Sequence, residues 1–337
     1  MRRPPARRLI SPARAPATVP PPLAGQWAAR DTRLDDAQLW PLPAGAGPED
    51  VVVDPAGRLV SGGDDGRLWR WPADAGPDTV PEELVETGGR PLGIEVDPRD
   101  GSLIVCDAYR GLLRVTGDGT VTQLATEAAG TPIGVCNNAA VARDGTVFFT
   151  DSSSRYPLWA WRRDLLEYRP NGRLLAYRPA GTVDVVATGL YFPNGVALTP
   201  DESAVLVVET SAHRLLRVPL SGGGPTLLAD LPAYPDNMSS VGDGTYWIAL
   251  PSPRVASAER LLPHPGMRRL AVLLPEWMQP GPMAYSLVAL VDGDGTVLRT
   301  LHGPAGRYPM LTGVRQHGTT LWLGSLSGSG VARVPLT

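Results

Sequence analysis

One short phrase recurs six times along this chain, each time at the start of an apolar run. The copies begin at Pro48, Pro91, Cys136, Pro193, Pro235 and Leu311. Successive copies lie 43, 45, 57, 42 and 76 residues apart. A period of about 40–50 residues with several short strands per copy is typical of a β-propeller. The repeat therefore predicts an all-β fold, a six-bladed β-propeller in one domain, although 337 residues would also allow two domains.

The strands within each copy are short and separated by turn residues. Each copy has a first strand, a Gly/Asp turn, a second strand, and a third strand rich in Arg and Leu, such as Arg67–Trp71 or Arg214–Val218. The 38 glycines and 36 prolines suit tight turns and oppose long helices. The two longest intervals contain insertions, at 152–170 and about 252–285.

The domain boundaries follow from where the repeat begins. We predict an extended Pro/Arg-rich N-terminal arm at 1–36 and the propeller at 37–337. The last copy is short, and the apolar segment Ala37–Leu42 is placed to supply its missing outer strand. Closing the ring in this way would remove exposed sheet edges.

Composition excludes several classes of function. The net charge of −3 gives no electrostatic footprint for nucleic acid, and no apolar run is long enough to span a membrane. The sequence contains no lysine, which excludes Schiff-base catalysis and a Walker-type phosphate loop. The N-terminal arginines are followed by no apolar signal region, so we expect a solvated arm and a cytoplasmic protein. Cys106 and Cys136 are expected to stay reduced.

The second residue of each phrase forms what we call the column. Its members are Glu49, Leu92, Asn137, Asn194, Asp236 and Thr312. The innermost strand of every propeller blade runs along the central channel, so the column residues should face one another at one mouth. One such residue at a strand start is ordinary turn chemistry, but four oxygen donors in register favour a metal site.

The donor set indicates the metal. Glu49, Asn137, Asn194 and Asp236 offer two carboxylates and two amide carbonyls, with no sulfur or imidazole. Ca²⁺ takes about 6–8 oxygen ligands and tolerates irregular geometry, whereas Zn²⁺ more often recruits His or Cys. The sequence therefore predicts Ca²⁺ as cofactor, with these four residues as its ligands.

Several longer motifs resemble a known family. They include Gly47–Asp50, Gly89–Gly93, Phe149–Ser153, Leu231–Asn237 and the distinctive stretch Tyr191-Phe192-Pro193-Asn194-Gly195-Val196-Ala197-Leu198. From about residue 47 onwards the chain resembles strictosidine synthase-like proteins, within the calcium-dependent propellers that include gluconolactonases, paraoxonases and diisopropyl-fluorophosphatases. The resemblance implies a six-bladed propeller whose central Ca²⁺ is held by residues matching Glu49, Asn137, Asn194 and Asp236.

Two departures from these relatives affect the chemistry. For strictosidine synthase itself, the resemblance implies a catalytic glutamate on the last blade. This chain has Thr312 near that position. Paraoxonases use a histidine near the position of Leu92, and the four histidines of this chain lie outside the column. An aspartate that often follows the third-blade ligand is replaced by Asn138, which leaves a second, structural calcium open.

Three functional hypotheses remain. The first is a Ca²⁺-dependent lactonase or esterase, with Asp236 as the catalytic residue that activates water or attacks as a nucleophile. The second is a metal-dependent cyclase or synthase of specialised metabolism, and the third is a non-catalytic binding propeller. The partner is a small-molecule substrate, and the oligomeric state is left open. The residues expected to contact the substrate are Leu92, Phe149, Tyr191, Trp277 and Thr312, and the insertion Trp277–Tyr285 is expected to help shape an apolar pocket around it.

Overall fold

The six copies of the repeat form six four-stranded antiparallel sheets, the blades. The structure is a computed structural model that describes residues 9–16 and 19–337. From the innermost strand outwards, blade 1 comprises Val51–Val53, Leu59–Gly62, Arg67–Trp71 and Glu82–Glu86. Blade 2 comprises Pro91–Val96, Leu103–Asp107, Gly111–Val115 and Val121–Ala125. Blade 3 comprises Cys136–Val141, Val147–Asp151, Gly172–Tyr177 and Val183–Leu190.

The other three blades follow the same pattern. Blade 4 comprises Pro193–Leu198, Ala204–Glu209, Arg214–Pro219 and Thr226–Asp230. Blade 5 comprises Met238–Ser240, Thr245–Leu250, Ser286–Asp292 and Val297–Gly303. Blade 6 comprises Leu311–His317, Thr320–Ser325, Gly330–Pro335 and Gln38–Pro41. Each innermost strand contacts that of the next blade, and blade 6 contacts blade 1, so the ring is closed.

The outermost strand of blade 6 comes from the beginning of the propeller. Gln38–Pro41 pairs antiparallel with the third strand of that blade, with Gln38 opposite Arg333 and Pro41 opposite Gly330. Trp40 is buried against the edge of Trp322, at 4.7 Å between ring centroids. The pairing gives the edge of the last blade a hydrogen-bonded neighbour.

A β-bulge lies at the start of the innermost strand in four of the blades. The register shifts between Pro91 and Ile94, Cys136 and Ala139, Pro193 and Val196, and Leu311 and Gly313. Each interval contains a column residue. A bulge bends its strand and redirects a side chain. It therefore interrupts the regular alternation of side chains along the strand, which would otherwise bury the column residue between blades.

The residue after each column position alternates between polar and glycine around the ring. Blades 1, 3 and 5 carry Asp50, Asn138 and Asn237, and blades 2, 4 and 6 carry Gly93, Gly195 and Gly313. A Cβ on any of these glycines would lie about 2.7 Å or less from backbone atoms of a neighbouring blade. The glycines therefore permit the close approach of innermost strands, and the polar side chains bridge the same gaps.

These bridges are hydrogen bonds between blades. Asp50 Oδ2 accepts from the backbone N of Ile94 at 3.0 Å, and Asn138 Oδ1 accepts from that of Val196 at 3.2 Å. Asn138 Nδ2 also donates to Asn237 Oδ1 at 3.1 Å. The three polar side chains thus tie the blades together immediately beneath the column.

Both long insertions join the second and third strands of their blades. The first, in blade 3, contains the 3-10 helix Leu158–Ala160 and helix α1 (Trp161–Glu167). The second, in blade 5, contains helices α2 (Ala256–Leu261) and α3 (Pro265–Ala271) and the 3-10 helix Glu276–Met278. Two short pairings, Glu127–Ala128 with Thr131–Pro132 and Ala233–Tyr234 with Ser252–Pro253, complete the sheets.

The described part of the N-terminal segment, 9–16 and 19–36, packs on the propeller through several apolar residues, whereas the sequence predicted an extended, solvated arm. Residues 1–8 and 17–18, which carry part of the predicted arm, lie outside the described residues. Ile10, Trp27 and Leu34 are buried, and 3-10 helices form at Gly25–Trp27 and Arg33–Asp36. The apolar anchors explain the difference, since a purely polar arm would have nothing to bury.

Two further expectations concern cysteines and membranes. Cys106 and Cys136 are buried and unbridged, and their reduced state stays a prediction. Within residues 9–16 and 19–337, no helix has the length and apolar character needed to cross a membrane.

Candidate functional site

All six column residues line one cavity, as the register of the repeat predicts. Glu49, Leu92, Asn137, Asn194 and Thr312 are buried at its floor, and Asp236 is half-buried. The cavity walls come mainly from the two insertions and the loops that precede the innermost strands. Residues far apart in sequence thus meet at one end of the ring.

The amides of Asn137 and Asn194 are oriented by buried hydroxyl groups. Asn137 Nδ2 donates to Ser152 Oγ at 2.9 Å, and Asn194 Nδ2 donates to Thr210 Oγ1 at 3.3 Å. Each hydroxyl in turn donates at 2.7 Å to a carbonyl of the next blade, that of Pro193 or Pro235. With their nitrogens engaged, both amides leave Oδ1 without a hydrogen-bond partner.

The same support is absent where the column residue is apolar. Ser152 and Thr210 directly follow the second strands of blades 3 and 4, and the matching residue of blade 2 is Ala108. Ala108 packs in a small apolar cluster with Leu92 and Val135. The residue after the second strand therefore matches the column residue of its blade. A hydroxyl accompanies an asparagine, and an alanine accompanies the leucine.

A carboxylate one residue earlier holds the loop that enters each of these strands. Asp107 Oδ1 accepts from the backbone N of Arg90, and Asp151 Oδ1 accepts from that of Val135 at 3.0 Å. Glu209 Oε1 accepts from the backbone N of Tyr191 at 2.8 Å. Asp151 is also paired with Arg173 at 2.6 Å. The column therefore rests on a fixed frame.

The two carboxyl groups of the column lie close to each other. Asn237 Nδ2 donates to Glu49 Oε1 at 3.0 Å, which leaves Glu49 Oε2 without a partner. Burial raises the pKa of Asp236 to about 7. Burial, followed by repulsion from Asp236, also raises the pKa of Glu49. Two acids held close together and partly desolvated resist ionisation when no cation is bound.

The donor set fits a hard divalent cation. Three unpartnered oxygens, Glu49 Oε2, Asn137 Oδ1 and Asn194 Oδ1, line the cavity together with the Asp236 carboxyl group. Carboxylate and amide oxygens are the ligands that Ca²⁺ takes. Among the described residues no cluster of three or more His, Cys, Asp or Glu side chains suits a metal, so four ligands are reached only with the asparagine amides.

The remaining wall is largely apolar and was mostly missed by the sequence analysis. It includes Leu158, Trp161, Leu165, Leu166, Phe192, Leu261, Leu262, Met310 and Leu326. Trp161 and Leu165 are four residues apart in α1 and therefore share a face. That spacing was the only available signal, because the repeat says nothing about insertions.

Three residues expected to contact the substrate lie elsewhere in the structure. Phe149 is fully buried in the core between blades 2 and 3, because it lies within a regular second strand where no bulge redirects it. Trp277 is 84% exposed on the 3-10 helix Glu276–Met278, whereas residues 279–282 of the same insertion line the cavity, as expected for that insertion. These corrections leave Leu92 and Thr312 as expected positions that do line the cavity.

Tyr191 is the third correction, and its neighbour takes the place predicted for it. Tyr191 packs against Tyr168 at a tilted angle, with ring centroids 4.8 Å apart. Phe192 has φ +53°, which turns the chain so that Phe192 rather than Tyr191 lines the cavity. A left-handed phenylalanine could not have been recognised in a stretch that reads as a simple strand start.

Backbone strain is concentrated around this cavity. Six non-glycine residues of the described chain have positive φ, and three of them line it: Phe192, His213 and Met310. Left-handed non-glycine residues are unfavourable and persist where the surrounding structure imposes them. His213 and the nearby Ser211 were not recognised from the sequence, which showed only that the histidines lie outside the column.

Comparison with known proteins agrees with the resemblance noted in the sequence. Residues 137–222 match the family Strictosidine synthase, and residues 25–71 match Strictosidine synthase-like, N-terminal. The chain is 39% identical over 259 residues to Protein STRICTOSIDINE SYNTHASE-LIKE 6 of Arabidopsis thaliana, which covers 76% of this chain and 69% of that protein.

Solved structures confirm the predicted six-bladed all-β propeller. A gluconolactonase from Xanthomonas campestris superposes with a TM-score of 0.64 at 22% identity, covering 98% of this chain and 99% of that one. The calcium-binding protein regucalcin of Agrobacterium tumefaciens superposes with a TM-score of 0.60 at 14% identity, covering 87% and 90%. At these identities the likeness establishes the fold alone.

Proposed function

Because the chain belongs to the strictosidine synthase-like family, we propose that it is an enzyme of the lactonase or esterase type that depends on Ca²⁺. The observation that carries this proposal is the set of unpartnered oxygens on the cavity floor. Glu49 Oε2, Asn137 Oδ1 and Asn194 Oδ1 are buried without hydrogen bonds. Leaving a buried polar atom unsatisfied is costly, and a bound cation would remove that cost for all three atoms.

Glu49, Asn137, Asn194 and Asp236 would hold the cation. When bound, Ca²⁺ supplies Lewis-acid polarisation of the substrate carbonyl. Two proteins of the same fold are a calcium-binding protein and a gluconolactonase, and the proposal extends that metal and that reaction class to this chain. The predicted ligand set is thereby retained as a proposal.

Asp236 is the proposed catalytic residue. It is the most accessible of the four oxygen donors, since it is half-buried while the others are buried. Its carboxylate would take the proton of the attacking water or attack the carbonyl itself. Thr312 is not assigned this role, since its Oγ1 already donates to the backbone O of Glu49 at 2.9 Å.

The apolar wall indicates the class of substrate. The leucines and Trp161 contributed by the insertions favour an apolar lactone or ester over a free sugar acid. A mostly apolar cavity with a few convergent polar groups is the usual form of a small-molecule site.

Calorimetry and hydrolysis assays test the proposal together. EDTA-dialysed protein is titrated with Ca²⁺, and turnover of γ- and δ-lactones and of phenyl acetate is measured with and without the ion. We expect saturable Ca²⁺ binding that weakens in Asn194→Ala, and Ca²⁺-stimulated hydrolysis that falls about 10²–10⁴-fold in Asp236→Asn. Equally poor hydrolysis by the metal-free and loaded proteins would contradict it.

A metal-dependent cyclase or synthase is the second candidate. The match of residues 137–222 to the Strictosidine synthase family favours bond formation. The last-blade glutamate expected of strictosidine synthase itself is replaced by Thr312, so the same reaction is not proposed. Calcium binding without hydrolysis of any substrate in the panel would support this second candidate over the first.

A further inference from the structure

Two buried polar atoms outside the column also lack a hydrogen-bond partner on the cavity wall. They are Ser211 Oγ and His213 Nε2. Both residues line the cavity and are less than 5% exposed. They lie in the turn 210–213 between the second and third strands of blade 4. Their Cα atoms are two residues apart and therefore lie within about 7 Å of each other, and both residues line the same cavity.

The backbone of His213 adopts an unfavourable conformation. His213 has φ +54°, whereas the corresponding turns of blades 1 and 2 reach positive φ at Gly66 and Gly111. Glycine adopts this conformation without steric penalty, and a histidine does not. The ring is therefore fixed at a position where the backbone alone would favour glycine.

The surroundings keep the imidazole neutral and oriented. Burial, followed by the positive charge of Arg254, lowers the pKa of His213 to about 3. The ring also packs edge-on against Tyr234, with centroids 4.4 Å apart. A neutral imidazole has one N–H and one acceptor nitrogen, and a serine hydroxyl both donates and accepts. Either tautomer can therefore bind a neutral hydroxyl group.

We propose that Ser211 and His213 form a hydrogen-bonding subsite for a neutral hydroxyl group of the substrate. A hydroxyl both donates and accepts, so it can satisfy both side chains at once. A carboxylate only accepts and an ammonium only donates, so neither suits a neutral imidazole in both tautomers. The subsite rests on the proposed function only in that the cavity holds the substrate, and it adds specificity without touching the metal ligands.

A pair of matched probes isolates the subsite. 3-Phenyl-1-propanol carries a terminal hydroxyl, and butylbenzene has a methyl group in its place. Dissociation constants of both are measured by ligand-observed NMR on metal-free and Ca²⁺-loaded protein. The proteins compared are the wild type, Ser211→Ala, His213→Leu and, as a matched control, His317→Leu, which removes an exposed histidine of blade 6.

We expect each subsite variant to raise the dissociation constant of the alcohol about tenfold, the usual range for one lost hydrogen bond. The dissociation constant of butylbenzene should change by less than about twofold. The control should change neither. Equal changes for both probes, or no saturable binding of the alcohol to the wild type, would overturn the subsite. So would a parallel loss of Ca²⁺ affinity in both variants, because the pair would then support the metal site.

A second measurement avoids dependence on the stability of the variants. In ¹⁵N-histidine-labelled wild type, the Nε2 resonance of His213 should shift with the alcohol and not with butylbenzene. His213→Asn assigns the resonance, since asparagine tolerates the left-handed backbone. An unmoved resonance at saturating alcohol would contradict the proposal. Alcohol recognition without any ester hydrolysis would instead retain the subsite and reject the proposed function.

Discussion

Asn137 and Asn194 use the two ends of one amide group for different purposes. The nitrogen is held by a buried hydroxyl, and the oxygen is thereby directed into the cavity. Ser152 and Thr210 also bind the carbonyl of the following blade, so the position of each oxygen depends on contacts between blades. An asparagine without this support could rotate and present its nitrogen to the proposed cation.

Removing one of these hydroxyls should weaken calcium binding without unfolding the protein. We predict that Ser152→Ala or Thr210→Ala lowers Ca²⁺ affinity about 10–100-fold, as for other outer-shell partners. Thr210→Ser should restore it, because the hydroxyl is kept. Isothermal titration calorimetry on EDTA-dialysed protein provides the measurement.

Ser239 supplies a matched control for that experiment. Its Oγ donates to Val314 O at 2.5 Å, so it also joins two blades through a buried hydroxyl, but it supports no column residue. Ser239→Ala should lose similar stability and keep its calcium affinity. Equal loss of affinity in all three alanine variants would show that general loosening of the ring is responsible.

At the scale of the element, the innermost strands depend on glycine for their spacing. The backbone N of Gly195 donates to Asp236 O at 2.9 Å, and a Cβ at this glycine would lie 2.7 Å from the same oxygen. Backbone atoms of blade 5 cannot move aside as a flexible side chain can. The alternation of glycines and polar residues is therefore a packing requirement of the ring.

Gly195→Ala should destabilise the propeller even without metal. We expect its free energy of unfolding to fall by about 1–3 kcal/mol, the range for overpacking, in urea denaturation of EDTA-treated protein. Gly224→Ala is the control, because its Cβ would meet nothing within 4 Å. Unfolding curves of the Gly195→Ala protein that overlay those of the control would exclude a tight blade 4–blade 5 contact.

Helix α1 contains a buried acid whose ionisation opposes folding. Asp164 Oδ2 accepts from Ser153 Oγ at 2.5 Å and from Asn171 Nδ2 at 3.1 Å, and Oδ1 is unpartnered. Burial raises the pKa of Asp164 from 3.8 to about 6. The folded protein therefore binds a proton more tightly than the unfolded chain, and stability falls as the pH rises between these two values.

Replacing this acid by its neutral amide should remove that pH dependence. Relative to wild type, Asp164→Asn should gain about 2–3 kcal/mol of unfolding free energy between pH 4 and pH 7.5, since each pKa unit corresponds to about 1.4 kcal/mol. Urea denaturation at both pH values measures the difference. A constant offset between the two proteins would mean that Asp164 does not change its protonation within this window.

At the scale of the whole molecule, the repeat explains what could be predicted from sequence. Periodicity places equivalent residues at equivalent positions in each blade, so it predicted that the column from Glu49 to Thr312 would converge on one cavity. The repeat does not define insertions or departures from regular backbone. Trp277 and Tyr191 were misplaced because a surface 3-10 helix and a left-handed Phe192 set their directions.

The polar groups that the sequence analysis missed have the same cause. His213 lines the cavity because its turn has a positive φ. The alternation of polar and apolar residues along a strand does not predict such a turn. Ser152 and Thr210 could have been found by aligning the ends of the second strands, where Ala108 accompanies Leu92. Pairs of positions that recur in every blade can therefore be recognised from the sequence. The conformation of the insertions can be learned only from the structure.

The pairing of Gln38–Pro41 with Gly330–Pro335 joins the two ends of the propeller sequence, and we call it the seam of the ring. Its packing should therefore influence the stability of the whole molecule. Trp40 is 5% exposed and packs with Val51, Leu59 and Val331, whereas Leu39 in the same strand is 43% exposed. Trp40→Ala should lower the free energy of unfolding by about 3–5 kcal/mol, as for other large core truncations. Leu39→Ala should change it by about 0.5 kcal/mol or less. Urea denaturation distinguishes them, and a small effect of Trp40→Ala would mean that the other five blade contacts hold the ring without the seam.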